Sequence, residues 1–193
     1  MFDVTAIGEL LIDMAQLGMS DIGSSIFEAN PGGAPCNVLA MLNKLGRSTA
    51  FIGKVGDDIF GKKLKNIVES SGTDVGGLVF DENVRTTLAF VETDEYGDRN
   101  FSFYRAPGAD MMLREDEVNV DIIKQSRVLH FGTLSMTHDV VEKATVKAID
   151  SERFGLAVVV RPQSPSSALG QHGQGKAKNR LRLFGERYCK NRD

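Results

Sequence analysis

The stretch Pro31-Gly32-Gly33-Ala34-Pro35-Cys36-Asn37-Val38-Leu39-Ala40 holds residue types at a spacing that could do chemistry. Two glycines without Cβ atoms let the backbone approach a ligand closely. The helix-forming residues that follow would aim their first amides, which have no intrahelical partner, at whatever occupies the turn. Asn37 adds a carboxamide that donates and accepts at once, which suits a polyol better than a phosphate. The same run would also serve as a tight turn and a capped helix start with no ligand at all. A zinc site is not expected: His130 and His138 are eight residues apart with no third ligand in view, and His172 lies in a basic tail.

A fold has to hold these groups, and 193 residues, 41% hydrophobic and 25% charged, suffice for one sizeable core or one domain with a small appendage. A formal net charge of -3 supplies no basic field, so neither nucleic acid nor an anionic membrane is an expected partner, and a small neutral molecule is. Cys36 and Cys189 cannot build a disulfide framework, and no charged-then-apolar leader or long apolar run is present. Cytoplasm is the expected compartment.

Val4-Thr5-Ala6-Ile7-Gly8 reads as a buried first strand that continues through Glu9-Leu10-Leu11-Ile12-Asp13 toward a loop. Apolar side chains at helical spacing predict a helix over 37–45 that stops at Gly46. Thr49 to Val55 is a second strand, and Gly61 to Ser71 a second helix with Leu64, Ile67 and Val68 on one face. This β-α-β-α alternation predicts a parallel sheet wrapped by helices. Arg85 to Glu92 and Asn100 to Arg105 differ, alternating apolar and polar residues around Asp94-Glu95-Tyr96-Gly97-Asp98, and predict an antiparallel hairpin. Its aromatic residues Phe101, Phe103 and Tyr104 suit a flap over a site, or an ordinary peripheral hairpin. Val128-Leu129-His130-Phe131 returns to a strand ending at Gly132, and a helix follows over 140–150.

Four motifs in order, Gly8-Glu9-Leu10-Leu11-Ile12-Asp13, Gly32-Gly33-Ala34-Pro35-Cys36-Asn37, Gly53-Lys54-Val55-Gly56-Asp57-Asp58-Ile59-Phe60-Gly61 and Phe103-Tyr104-Arg105, resemble the ribokinase-like (PfkB) sugar kinases, and among them the bacterial fructokinase branch. The match runs from Met1 to about Val158. It implies an α/β fold, a ribokinase-like three-layer α/β/α sandwich with a small β-sheet lid, truncated before its C-terminal half. The lid strands would fall near 10–31 and 85–106, and the predicted hairpin would belong to them.

The resemblance assigns roles by position. Asp13 matches an aspartate that accepts hydrogen bonds from sugar hydroxyls, and a carboxylate takes two such bonds at once. Gly33, next to Gly32, matches a glycine whose backbone faces the sugar, and Asn37 matches an asparagine that bonds another hydroxyl. Phe103 and Arg105 match lid positions that close on the sugar, one with an apolar ring face and the other with fixed donors. Thr87 and Ala89 would line the same lid. Each has a plainer competitor: a loop cap for Asp13, a solvated edge charge for Arg105, a packing residue for Phe103. Asp57 and Asp58, a pair that would suit a hard cation, sit where the family has a turn into a helix, so they are expected to cap Phe60-Gly61 onward.

Sugar kinases of this type attack the γ-phosphate of ATP in line, with a base, magnesium and amides around the developing charge. The family places these groups in its C-terminal half, in a Gly-Ala-Gly-Asp segment and an upstream acidic motif, and neither occurs in this sequence. ATP and Mg2+ are therefore cofactors implied by resemblance without residues to assign, and no catalytic residue is named. The chain is expected to be inactive alone. From about 159 to 193 the sequence turns basic and rich in Gln, Ser, Gly and Arg, which reads as a disordered extension or as a shifted reading frame. Moving the codons of Val159 to Leu169 by one nucleotide permits Ser-Phe-Asp-Pro-Asn-Leu-Arg-Pro-Pro-Leu-Trp, the family's next strand and loop. The gene's DNA across this point tests that expectation.

Two readings of function follow. One is an ATP-dependent sugar kinase lineage making fructose 6-phosphate, with ribose, ketodeoxygluconate or nucleoside kinases as relatives of the same fold. The other is a non-catalytic sugar-binding or interaction module that pairs with a second copy through its lid sheet.

Overall fold

The structure, a computed structural model, describes residues 1–93, 99–151 and 157–161. Five strands form a parallel sheet: β1 (Phe2–Ile7), β4 (Thr49–Gly56), β5 (Thr73–Asp81), β8 (Ser126–Gly132) and β9 (Ala157–Arg161), in the spatial order β5-β4-β1-β8-β9. Alternation along each strand sends side chains to opposite faces. Ala6 and Phe51 pack with Cys36, Leu39, Leu64 and Val68 on one side. Ile7, Ala50, Ile52, Leu129 and Phe131 pack with Ile122, Val141, Ala144 and Ile149 on the other. The first face is covered by α1 (Ala34–Lys44) and α2 (Ile59–Ser70), the second by α3 (Val120–Lys124) and α4 (Asp139–Asp150), giving three layers.

A second sheet stands apart from this sandwich. It contains β2 (Leu11–Met19), β3 (Ser25–Gly32), β6 (Leu88–Thr93) and β7 (Arg99–Tyr104) in the order β3-β2-β6-β7. β2 runs antiparallel to β3 and parallel to β6, and β6 runs antiparallel to β7. The expected hairpin is thus present as β6 and β7, but it pairs with a second hairpin from the N-terminal region. Glu9 to Asp13 does not extend the first strand: the chain leaves the central sheet after Ile7, and Leu11 already belongs to the second one. A continuous apolar run cannot reveal that change of sheet, because both sides of the break are buried.

Several boundaries moved for local reasons. Helix α1 starts at Ala34 rather than Asn37, because Pro35 is well suited to a first turn where no amide bond is needed. Asp58 caps α2, accepting from the amides of Phe60 and Gly61, as expected, whereas Asp57 pairs with Lys62 at 2.8 Å. β5 had no sequence expectation: its Val75-Gly76-Gly77 stretch lacks a strand's alternation, yet it pairs with β4 along the sheet edge. β9 crosses the boundary placed at 158–159, with Val158 and Val160 packed against the core. The remainder of the tail lies outside the described residues. None of the helices among the described residues is long and apolar enough to cross a membrane.

Candidate functional site

The strand order makes β1 the point from which the chain first builds outward to β4 and β5 and then crosses back to β8 and β9. Ligands of open α/β sheets gather at the carboxyl ends of strands at such a reversal. It is there that the chain departs from β1 into the second sheet and returns from it through Gly32-Gly33 into α1. Gly33 has φ 124, and a Cβ on it would lie 2.5 Å from the carbonyl oxygen of Glu9, so only glycine allows the outgoing and returning strands to touch. Glu9 is buried and accepts the Ala34 amide at 3.0 Å, fixing the first turn of α1 against the end of β1. Burial pushes the Glu9 carboxyl above its usual range, and the hydrogen bonds it accepts pull it back in part.

Register assembles most of the expected residues on one face of the lid sheet. Asp13 of β2 is paired with Asn30 of β3 and with Ala89 of β6, and Ala89 is paired with Phe103 of β7. Residues opposite each other across strands present their side chains on the same face. One transverse row therefore reads Asn30, Asp13, Ala89, Phe103. Asp13 and Phe103 are half-buried and Ala89 is buried. Gly32 sits two positions along β3 from Asn30, and a Cβ on it would come within 2.7 Å of Asp13 Cγ. The Asp13 carboxylate leans over the space that this glycine leaves open. Phe103 stacks on Phe101 with ring centroids 6.1 Å apart and planes at 17°. The rings of Phe27, Phe90 and Tyr104 contact one another in turn on the opposite face, at centroid distances of 5.3 and 5.1 Å.

Thr87 and Arg105 belong to the same face, closer to the core, and both are engaged. The Arg105 guanidinium donates through Nε and Nη2 to Asp110, with the Nε–Oδ2 distance 3.0 Å, and the Thr87 hydroxyl donates to Asp110 Oδ1. Arg105 is thus no solvated edge charge: its side chain is 7% exposed and that of Asp110 1%. Asn37 lies on the first turn of α1; its amide donates to the Gly33 carbonyl at 3.1 Å and its side chain is exposed. Register sets Ala89 and Phe103 beside Asp13, Thr87 and Arg105 meet on Asp110 at the root, and Asn37 follows Gly32-Gly33 on α1.

Sequence reasoning missed Asp110, Glu9 and Asn30. Asp110 follows Arg105 by five residues across Pro107-Gly108, a turn that gave no hint of an ion pair. Asn30 becomes visible only through the register of β2 on β3.

Among the described residues no group of three or more His, Cys, Asp or Glu side chains is placed to hold a metal. The α1 terminus has its first amide taken by Glu9, so the glycine turn is not a free phosphate cradle. The described residues do not fit a nucleotide-metal site, and no chemical step is derived from one. What they offer is a carboxylate, a carboxamide, close backbone and an aromatic ring, groups whose chemistry suits a polyhydroxylated molecule.

Residues 1–177 match the model of the pfkB family of carbohydrate kinases. Fructokinase-2 of Oryza sativa subsp. japonica is 44% identical over 148 residues, which cover 76% of this chain and 44% of that protein. A sugar kinase of Pyrococcus horikoshii solved with ATP superposes with a TM-score of 0.80 at 26% identity, over 95% of this chain and 59% of that one. The fructokinase of Xylella fastidiosa gives a TM-score of 0.76 at 26% identity, over 97% and 63%. The chain spans less than half the length of the curated relatives it matches. With the glycine turn, the lid sheet and the family match in agreement, the chain belongs to the pfkB family of carbohydrate kinases.

Proposed function

We propose that this chain forms the sugar-binding part of a fructokinase, an enzyme that moves the γ-phosphate of ATP to a hydroxyl of D-fructose and releases fructose 6-phosphate. The observation that carries the reading is the row Asp13, Ala89, Phe103 on one lid face beside Gly32-Gly33. Asp13 accepts sugar hydroxyls, Asn37 reaches the sugar from the start of α1, and the Phe103 ring covers an apolar C–H face. Thr87 and Arg105, tied to Asp110, set the root of the lid and complete the lining. Similarity to fructokinases supports fructose over other sugars. ATP and Mg2+ serve as the phosphate donor and its counter-ion, held by groups other than the described residues. Catalytic turnover therefore needs a base that these residues do not supply, and the chain alone binds sugar without phosphorylating it.

Calorimetric titration of the full chain with D-fructose, paired with a coupled assay for ADP release, tests both halves. Saturable fructose binding without turnover is expected; absence of binding to any hexose overturns the reading. The proposal extends to a second copy of the chain as partner and to the cytoplasm as location. The lid face opposite Asp13 leaves Met19, Phe27 and Tyr104 exposed, an apolar surface that a second lid would cover. Light scattering on the purified chain is expected to give the mass of a dimer.

A further inference from the structure

The row that carries Asp13 has a fourth member. Asn30 is the register partner of Asp13 on β3, so its carboxamide and the Asp13 carboxylate project from neighbouring strands on one face. Strands are about 4.8 Å apart, which places these two polar groups side by side and the Phe103 ring about 14 Å from Asn30 across the row. Ala89 between Asp13 and Phe103 contributes only a methyl group, so the middle of the row stays low. Asn30 is half-buried, and its Nδ2 donates to Glu28 Oε2 at 3.1 Å, two residues back on the same face. That bond restrains a side chain which would otherwise be free to turn at the edge of the sheet.

We propose that Asn30 is a sugar-contacting residue that sets hydroxyl specificity next to Asp13. This rests on the sugar-binding reading above and deepens it. A carboxylate only accepts hydrogen bonds, whereas a carboxamide both accepts and donates. Two hydroxyls on adjacent carbons present one donor and one acceptor direction each, so a carboxylate and a carboxamide side by side match a vicinal diol. The sugar lies with its hydroxyl edge on Asn30 and Asp13 and an apolar face toward Phe103. A hydroxyl missing from the diol leaves one of the two groups without its partner, and that difference discriminates between sugars.

The test titrates the full chain and its variants with D-fructose and with singly deoxygenated fructoses, and follows thermal unfolding of each. Asn30→Ala is expected to weaken fructose binding about 5-fold to 15-fold, the loss of one hydrogen bond. It leaves affinity unchanged for the one deoxyfructose that lacks the hydroxyl facing Asn30. Asn30→Asp, of nearly equal shape, places a second carboxylate beside Asp13 and is expected to bind fructose at least as weakly as Asn30→Ala at pH 7. Unchanged fructose affinity in Asn30→Ala alongside lost affinity in Asp13→Ala overturns this inference and leaves the sugar-binding reading standing. An equal loss for every sugar, accompanied by a fall in melting temperature, assigns Asn30 a structural role and overturns the inference as well. If the unaltered chain binds no hexose, the reading and the inference fall together.

Discussion

Arg105 and Asp110 form a two-pronged ion pair at the point where β7 rejoins the core, with both side chains sealed from water. Asp110 also takes the Thr87 hydroxyl at the start of β6, so one carboxylate holds the roots of two lid strands. The neighbouring Thr86 is tied elsewhere: its amide and hydroxyl donate to Asp58, which caps α2. Adjacent threonines thus anchor the lid to two separate parts of the sandwich. These joints fix the roots of the lid strands on the sandwich.

Breaking the Arg105–Asp110 pair from one side leaves the other charge buried without compensation, which costs about 3–5 kcal/mol. Asp110→Asn is therefore expected to lower the melting midpoint by roughly 10 °C, taking about 2–4 °C per kcal/mol for a chain of this size. Arg105→Lys loses the fork that matches a carboxylate and should destabilise by about half as much. Circular dichroism melts at neutral pH check both. A fall of less than 2 °C in Asp110→Asn would show that the pair contributes no stability.

Acid should weaken the fold through Asp58 and Asp81. Burial pushes the Asp58 carboxyl up, but the Thr86, Gly61 and Phe60 amides and the Thr86 hydroxyl more than offset it and hold it below the ordinary value of 3.8. The Lys54 ammonium holds Asp81 below the same value, against a smaller effect of burial. A carboxyl with a lowered folded pKa adds stability above its unfolded value and loses it as pH falls through the folded one. The midpoint should thus stay nearly level from pH 7 to about 5 and drop below about pH 4. Glu9, whose carboxyl is raised, acts in the opposite sense and costs stability as it ionises. The gap between the parent and Asp58→Asn should narrow from pH 7 to pH 3; a gap independent of pH would contradict the role given to Asp58.

Much of the sandwich was legible because its signals are local. Helix α2 shows an apolar face, a capping aspartate and a final glycine within one stretch of chain, and α4 shows an apolar face of its own. The Gly32-Gly33 turn was legible for a similar reason, since a doubled glycine before a helix announces close backbone approach. The lid was harder. Nothing in Leu11 to Met19 says which strand lies beside it, and its partners lie at very different separations: β3 follows directly, and β6 starts nearly seventy residues on. Asp13 and Phe103 could each be named, but their shared row with Ala89 is set by pairing across distant strands. The Arg105–Asp110 pair was not legible, because Asp110 sits beyond a turn whose path the sequence does not specify.

Lys54 offers a second buried charge to remove. Its Nζ lies 2.8 Å from Asp81 and 2.8 Å from Glu117, with the Met112 carbonyl at 3.2 Å, and the side chain is 2% exposed. Lys54→Met keeps the length and leaves two carboxylates facing each other across the gap. Loss of about 3–5 kcal/mol is expected, as for other one-sided breaks of buried pairs. Chemical denaturation with urea measures it. Lys54→Met combined with Glu117→Gln should recover part of the loss, because one of the opposed charges is gone; no recovery would mean that repulsion is not the cause.

Gly32→Ala separates the geometry of the site from its chemistry. An ideal Cβ at position 32 meets Asp13 Cγ at 2.7 Å and Leu11 Cδ1 at 2.8 Å, so the added methyl must displace the Asp13 side chain or open the β2–β3 pair. The backbone at this glycine is not in the left-handed region, and the substitution therefore adds crowding rather than torsional strain. Asp13 is half-buried at the sheet surface and can swing away at modest cost, so the melting midpoint should fall by only about 2–4 °C, or ~1 kcal/mol. Fructose affinity should fall much further, about 10-fold to 100-fold, toward that of Asp13→Ala, because two hydrogen bonds to a charged acceptor leave the site together. Adding Asp13→Ala to Gly32→Ala should then cost little more, since the carboxylate is already out of place. If the two changes weaken binding independently, with their effects adding in full, the carboxylate does not depend on the space at Gly32 and the arrangement of this row is wrong.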